Sequence, residues 1–164
     1  MLIGMMGSGK SSVGDVLARR LGRTLVDVDV LIEAAAGRSI AQIFADEGEA
    51  SFRTWERAAI QKASAVPGAV IACGGGAVLD PDNVASLRAA GTVVWLQVSP
   101  EVAARRLGSD EGRPVLRAIS GELAERLRTL IARRADAYAA AADMVVDADG
   151  PAEAVADAVL RDRP

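Results

Sequence analysis

Short apolar runs alternate with longer amphipathic segments along this chain. The apolar runs predict β-strands near Leu2–Ile3, Thr24–Val28, Ala69–Ala72, Thr92–Val98 and Met144–Val146. Helical spacing of apolar residues predicts helices over Lys10–Leu21, Val30–Ala36, Ile40–Asp46, Ala50–Ala65, Pro81–Ala90, Glu101–Leu107, Gly121–Ala141 and Ala152–Leu160. This alternation is typical of an α/β fold, in which a mostly parallel sheet carries helices on both faces.

Several residues mark where these helices begin and end. Gly22, Gly37 and Gly91 each follow a predicted helix, where a glycine can take the left-handed conformation of a C-cap. Ser39 precedes Ile40 as an N-cap. The boundaries therefore agree with the apolar pattern.

Composition limits the class of protein. The chain has 164 residues, which we interpret as a single domain over 1–164. It contains no apolar run near the roughly 20 residues of a membrane span, and its first residues lack the pattern of a signal peptide. A net charge of -3 gives no sign of nucleic-acid binding, and a single cysteine fits a reducing cytoplasm. We expect a cytoplasmic monomer that binds neither nucleic acid nor membranes.

The chain has no histidine. Mechanisms that use imidazole are excluded, including Ser-His-Asp triads and histidine-ligated metals. A general base must then be a carboxylate, a lysine, a tyrosine or the lone cysteine.

A glycine-rich segment near the start matches G-x-x-x-x-G-K-[ST] at every fixed position, from Gly4 to Ser11. Glycines let backbone N–H groups approach a phosphate, and the following helix adds its own N-terminal N–H groups. Lys10 would contact the β- and γ-phosphates of a nucleoside triphosphate, and the Ser11 hydroxyl would ligate Mg²⁺. The predicted nucleotide-binding residues of this segment are Gly7, Ser8, Gly9, Lys10, Ser11 and Ser12.

Two carboxylates follow at the end of the second strand. Asp27 and Asp29 are spaced i, i+2, so on a strand they would point the same way at the edge where open α/β sheets bind ligands. Such a pair suits Mg²⁺ binding and proton acceptance from a substrate hydroxyl. The alternative is that Asp29 is a helix N-cap and its neighbour is solvated.

Arg53 and Glu56 are spaced i, i+3 on a predicted helix. In a cleft, the glutamate would fix the guanidinium so that it can bind a carboxylate; the alternative is a surface salt bridge.

The third strand runs into three glycines at 74–76. They predict either close backbone approach, for example to a second ligand, or a flexible turn.

Together these motifs resemble the shikimate kinase family, small P-loop kinases of the nucleoside-monophosphate-kinase fold. The resemblance covers essentially the whole chain, and the stretch from Gly37 to Glu56 is its most specific part. The matching motifs, in order, are G-x-x-G-S-G-K-S from Gly4, D-x-D-x-x-I-E from Asp27, G-R-S-I-x-x-I-F-x-x-x-G-E-x-x-F-R-x-x-E from Gly37, G-G-G from Gly74, R-P-x-L from Arg113 and R-x-x-x-Y from Arg134.

The resemblance implies a three-layer α/β/α fold with a five-stranded parallel sheet, a substrate-binding region at about 29–60 and a mobile lid at about 108–118. It also implies the activity: ATP- and Mg²⁺-dependent phosphorylation of the 3-hydroxyl of shikimate, a step of aromatic amino-acid biosynthesis.

Residue roles carried over from the family follow the same motifs. Asp29 would accept the hydroxyl proton, Asp27 would bind the magnesium shell through water, and Lys10 would contact phosphate. The shikimate carboxylate would be bound by Arg53, which Glu56 orients, and by Arg134, with Arg133 as the fallback. The remaining implied residues are Gly75 and Gly76 as backbone contacts to the substrate, Arg113 as the lid arginine at the phosphoryl group, and Arg106 against the adenine.

The chain departs from the family after the last strand. Residues 147–151 are short and acidic where relatives often have a longer loop, sometimes with a basic residue. We expect weaker purine contacts there, so that more of the contact depends on Arg106 and on the backbone.

Two other functions fit parts of the pattern. A related small-molecule kinase, such as a gluconate kinase, would share the phosphate loop, but Arg53, Arg134 and the glycine triplet favour a compact ring carboxylate. A regulatory module that binds nucleotide without turnover would have no use for Asp29 and Arg113.

Overall fold

The structure, a computed structural model, describes residues 1–162. The last two positions of the predicted domain lie outside the described residues. Its elements are β1 (Leu2–Ile3), α1 (Lys10–Leu21), β2 (Leu25–Asp27), α2 (Val28–Ala36), α3 (Ile40–Ser64), β3 (Val70–Ala72), α4 (Pro81–Ala90), β4 (Val94–Gln97), α5 (Pro100–Leu107), α6 (Pro114–Arg117), α7 (Leu123–Ala141), β5 (Met144–Asp147) and α8 (Ala152–Asp162).

The five strands form one parallel sheet in the order β2-β3-β1-β4-β5. β1 lies at the centre, and the chain crosses to opposite sides of it. In open α/β sheets a ligand crevice forms at such a switch point, outside the carboxyl ends of the strands. The predicted five-stranded α/β architecture is confirmed.

Side chains alternate between two hydrophobic layers along β1, β3 and β4. Leu2 packs in the layer formed with α1 and α8, whereas Ile3 packs in the larger layer formed with α3, α4, α5 and α7. Val70 and Ile71 divide in the same way. Burial on both faces explains why these strands read as continuous apolar runs.

The predicted helix boundaries hold at most positions. Gly22 and Gly37 are left-handed C-caps, with φ of 63° and 66°. Ser39 forms a capping box with Gln42 at the start of α3. α3 breaks at Gly48, whose φ is 80° and ψ is 178°, so the two helices predicted for this region are separated by a single non-helical residue.

Several boundaries differ from the predictions by one or two residues. β2 ends at Asp27, and α2 begins directly at Val28 instead of Val30. α7 begins at Leu123 instead of Gly121, and the short helix α6 lies in the segment before it. No helix among the described residues is long and apolar enough to cross a membrane.

Candidate active site

A cleft of about 910 Å³ opens at the carboxyl edge of the sheet. It is bounded by the loops after β1, β3 and β5, by the end of β2, by α2 and α3, and by the segment around α6. All of the predicted site residues line it: Gly7, Ser8, Gly9, Lys10, Ser11, Ser12, Asp27, Asp29, Arg53, Gly75, Gly76, Arg106, Arg113 and Arg134.

The glycine loop connects β1 to the N-terminus of α1. Gly7 and Gly9 have φ of 80° and 85°, in the left-handed region that favours glycine. A Cβ at Gly7 would lie 2.9 Å from the carbonyl oxygen of Ala103 on α5. Glycine is therefore needed at Gly7 both for the loop conformation and for its packing against α5.

Lys10 reaches back over this loop. Its Nζ donates to the carbonyl oxygens of Gly4 and Met5, each at 2.9 Å, and to Ser8 Oγ at 3.4 Å. Burial lowers the pKa of the Lys10 ammonium, and the nearby Asp29 carboxylate opposes that shift. The ammonium therefore lies inside the glycine loop. A phosphate bound there would contact this ammonium and the backbone N–H groups of the loop.

Ser11 and Asp27 are joined by a hydrogen bond. The Ser11 hydroxyl, in the first turn of α1, donates to Asp27 Oδ2 at 2.6 Å. Two adjacent oxygen ligands suit Mg²⁺, which binds few protein groups and takes its other ligands from water and phosphate. No group of three or more acidic, cysteine or histidine residues forms a metal cage within residues 1–162. The residues present fit an ion that arrives with a nucleotide.

The prediction that both aspartates extend from the strand is wrong. Asp27 is the last residue of β2 and the N-cap of α2, and its Oδ1 accepts the Asp29 backbone N–H at 3.0 Å. Asp29 therefore lies in the first turn of α2. Its carboxylate still faces the cleft, where desolvation, followed by repulsion from Asp27, raises the pKa of the Asp29 carboxyl above its ordinary value, while Lys10 acts to lower it.

Arg53 is held by two carboxylates on the second half of α3. Nη1 donates to Glu56 Oε2 and Nη2 donates to Glu49 Oε1, each at 2.7 Å. Glu56 is 1% exposed, which excludes the surface salt bridge. Burial raises the pKa of the Glu56 carboxyl and Arg53 opposes that rise. The Glu49 contact was not predicted, although its i, i+4 spacing from Arg53 would have indicated it.

The glycine triplet lies directly against this ion pair. A Cβ at Gly74 would come within 2.9 Å of Glu56 Oε1, and a Cβ at Gly76 would come within 2.7 Å of Arg53 Nη2. The predicted close backbone approach is therefore present, and the groups that approach are Glu56 and Arg53 of the same chain.

Arg134 enters the cleft from α7 and Arg133 does not. Arg134 is 5% exposed, and its Nη1 donates to the Gly75 carbonyl oxygen at 2.9 Å. Arg133, the neighbouring residue, is exposed and does not line the cleft. The two cleft arginines thus hold the glycine triplet between them.

The predicted lid is a loop followed by α6. Arg113 lies at its centre, and its Nη1 donates to the backbone carbonyls of Ser109 and Glu111 at 3.3 and 2.9 Å. Arg126 on α7 contacts both ends of the segment, donating to Asp110 Oδ2 at 2.8 Å and to the Gly121 carbonyl at 2.6 Å. Nothing in the sequence indicated this role of Arg126.

Arg106 connects the glycine loop to the loop after β5. Its guanidinium donates to the carbonyl oxygens of Gly7 at 3.2 Å, Ala148 at 2.8 Å, Asp149 at 3.0 Å and Gly150 at 2.6 Å. Four backbone acceptors fix the side chain beside the glycine loop, at the rim of the cleft.

The sheet order, the glycine loop and the paired Ser11–Asp27 oxygens define a P-loop kinase of the nucleoside-monophosphate-kinase type. A second set of charged groups, on α3, α7 and the glycine triplet, shares its cleft.

Comparison with known proteins specifies the family. The family model described as shikimate kinase matches residues 6–163. The shikimate kinase of Moorella thermoacetica is 46% identical over 150 residues, which are 92% of this chain and 84% of that protein. The chain therefore belongs to the shikimate kinase family.

Solved structures agree with this assignment. The shikimate kinase of Acinetobacter baumannii in complex with shikimate superposes with a TM-score of 0.92 at 34% identity, covering 98% of this chain and 89% of that one. A gluconokinase from Sinorhizobium meliloti has a TM-score of 0.57 at 18% identity, covering 98% and 87% of the two chains. The second likeness reflects the shared fold alone.

Proposed function

We propose that this enzyme transfers the γ-phosphoryl group of ATP to the 3-hydroxyl of shikimate. The observation that carries the proposal is the arrangement of one cleft. The phosphate loop with Lys10, the two fixed arginines Arg53 and Arg134, and Asp29 all line this one cleft.

The pair of arginines suits a ring carboxylate. Arg53 is fixed by Glu49 and Glu56, and Arg134 by the Gly75 carbonyl, so neither guanidinium loses much freedom when it binds an anion. Charge-assisted hydrogen bonds of this kind contribute about 1.5–3 kcal/mol each. Backbone N–H groups of Gly75 and Gly76 would add contacts to the ring substituents.

Asp29 would act as the base. Its carboxylate would accept the proton of the attacking hydroxyl, and its raised pKa brings its basicity closer to that needed near neutral pH. Phosphoryl transfer otherwise requires positioning and charge neutralisation, which Lys10 and Arg113 would supply without histidine.

The remaining residues would position ATP. The N–H groups of the loop from Gly7 to Ser12 would surround the phosphates, and Arg106 would lie beside the adenine. Ser11 would ligate Mg²⁺ and Asp27 would bind its water shell; when bound, the ion neutralises charge on the transferred group.

Arg113 would move on ATP binding. It now donates to carbonyls of its own loop, so lid closure would exchange those acceptors for the γ-phosphate and exclude water. We further propose that residues 1–164 form one domain that acts in the cytoplasm. We propose that it acts as a monomer, because one chain supplies all of the predicted site residues.

The test is an ADP-release assay on the purified enzyme with ATP, Mg²⁺ and either shikimate, gluconate or no acceptor. The proposal predicts turnover that depends on shikimate. Turnover with gluconate alone would favour the related sugar-acid kinase, and ADP release in neither case would favour a binding module.

A further inference from the structure

We propose that Tyr138 is a positioning residue for shikimate, because its hydroxyl fixes the backbone carbonyl that orients both Arg134 and the glycine triplet. The inference rests on the proposed function, and it adds a residue that would not itself touch the substrate.

Two donors from α7 share one acceptor. The Gly75 carbonyl oxygen accepts a hydrogen bond from Arg134 Nη1 at 2.9 Å and another from the Tyr138 hydroxyl. Arg134 and Tyr138 are spaced i, i+4, so they lie on the same face of the helix. A carbonyl oxygen has two lone pairs, and both are occupied here.

The hydroxyl has little freedom to point elsewhere. Tyr138 is 1% exposed, and its ring stacks on Trp95 of β4 with a centroid distance of 5.4 Å and an interplanar angle of 18°. Burial raises the pKa of the phenol to about 12, so it remains a hydrogen-bond donor at neutral pH.

The carbonyl matters because a peptide group is planar. The Gly75 carbonyl and the Gly76 N–H belong to the same peptide unit and point in opposite directions. By holding the carbonyl towards α7, Tyr138 directs the Gly76 N–H away from α7. Glycines have no side chain to restrain this plane, so an external hydrogen bond is required to fix it.

Arg134 depends on the same carbonyl. If the Tyr138 hydroxyl were absent, the Gly75 carbonyl would keep only the hydrogen bond from Arg134, beside the backbone bonds from Ala77 N–H to the Gly74 carbonyl and from Leu79 N–H to the Gly76 carbonyl. The acceptor of the Arg134 guanidinium would then be less firmly fixed. Both changes would weaken the proposed carboxylate and ring contacts. The phosphate loop lies next to Gly75, since a Cβ there would be 3.4 Å from Met6 N, but the loop is also held by Lys10, which donates to the Gly4 and Met5 carbonyls, so it should change less.

The direct test is Tyr138→Phe, which removes only the hydroxyl. We expect the KM for shikimate to rise roughly 3- to 10-fold, the effect of one lost buried hydrogen bond. The KM for ATP should stay within about twofold of wild type by the same reasoning. The matched control is Leu127→Val, a buried residue about three turns earlier on α7, which should lower the melting temperature and leave the KM for shikimate unchanged.

A second measurement uses the fact that Tyr138 is the only tyrosine of the chain. Growth with 3-fluorotyrosine therefore modifies this ring alone and retains the hydroxyl. The labelled enzyme should keep a KM for shikimate close to wild type, and its single ¹⁹F resonance should shift when shikimate is added without nucleotide.

The outcomes separate the two proposals. If wild-type enzyme does not use shikimate, the proposed function fails. If wild-type enzyme uses shikimate, and Tyr138→Phe lowers the melting temperature with no change in the KM for shikimate, the hydroxyl serves stability alone and this inference is wrong. A ¹⁹F resonance that shikimate leaves unmoved would contradict it as well, even if the phenylalanine variant does not fold.

Discussion

The guanidinium of Arg53 occupies the space that a Cβ at Gly76 would need. A Cβ built at Gly76 would lie 2.7 Å from Nη2 of Arg53 and closer still to Nη1. Displacing Arg53 would break an ion pair, because its Nη2 lies 2.7 Å from Glu49 Oε1 and its Nη1 lies 2.7 Å from Glu56 Oε2. Glycine is required at position 76 because the Arg53 guanidinium fills the space of a side chain there. The guanidinium can occupy that space only because Gly76 has no Cβ.

Gly76→Ala should therefore impair substrate binding through Arg53. The added methyl group would displace the guanidinium and break at least one charge-assisted hydrogen bond, so the KM for shikimate should rise about tenfold or more. The KM for ATP should not change. Gly75→Ala is the graded comparison, since its Cβ would meet Met6 N at 3.4 Å, an ordinary contact. An equal or larger effect at Gly75 would contradict the steric account.

Asp29→Asn should remove the base and preserve the nucleotide site. We expect kcat to fall by about 10²- to 10⁴-fold, the usual contribution of a general base. ATP affinity, measured by calorimetry, should stay near that of wild type. For the wild-type enzyme, kcat/KM should decline as the pH falls through the raised pKa of Asp29. A variant with a near-normal rate would exclude Asp29 from the mechanism.

Asp29→Asn should raise the stability of the folded protein at neutral pH, although it lowers kcat. The pKa of Asp29 is higher in the folded protein than its ordinary value, so its ionisation opposes folding at neutral pH. The stability that the protonated Asp29 carboxyl contributes is fully present below the ordinary pKa of an aspartate and is lost as the pH rises through the raised pKa. Asp29→Asn should melt at a higher temperature than wild type at pH 7. The difference should vanish at acid pH; a variant less stable at pH 7 would contradict this.

Arg126 should control the mobility of the lid. Arg126→Ala removes the contacts to both Asp110 and Gly121, so amide hydrogen exchange over 109–121 should become faster and kcat should fall several-fold. Arg128→Ala is the matched control on the same helix, because its ion pair with Glu101 is more than half exposed on both sides and contributes little. Equal exchange rates in the two variants would show that Arg126 does not restrain the lid.

Much of the fold was predictable because the sequence patterns are local. Alternation of buried strands and amphipathic helices indicated the sheet, and Gly22, Gly37 and Ser39 marked helix ends through their own backbone preferences. The phosphate loop was predictable for the same reason, since its function depends on consecutive residues.

The rest depends on packing between distant residues. The place of Asp29 in α2 follows from Asp27 serving as both the strand end and the helix cap, a choice that the i, i+2 spacing does not determine. The Arg126 contacts to Asp110 and Gly121 join residues that helical periodicity does not relate. Such contacts require the position of α7 relative to the lid, which is set by the tertiary structure.

The central claim is that one cleft holds ATP at the phosphate loop and directs the 3-hydroxyl of shikimate at its terminal phosphorus. The most direct measurement is a crystal structure with a non-hydrolysable ATP analogue, Mg²⁺ and shikimate. We expect a carboxylate oxygen of Asp29 at about 2.6–3.2 Å from the 3-hydroxyl, the distance of a general base, with Arg53 and Arg134 on the shikimate carboxylate. A complex in which Asp29 contacts no hydroxyl and both arginines face solvent would contradict the account.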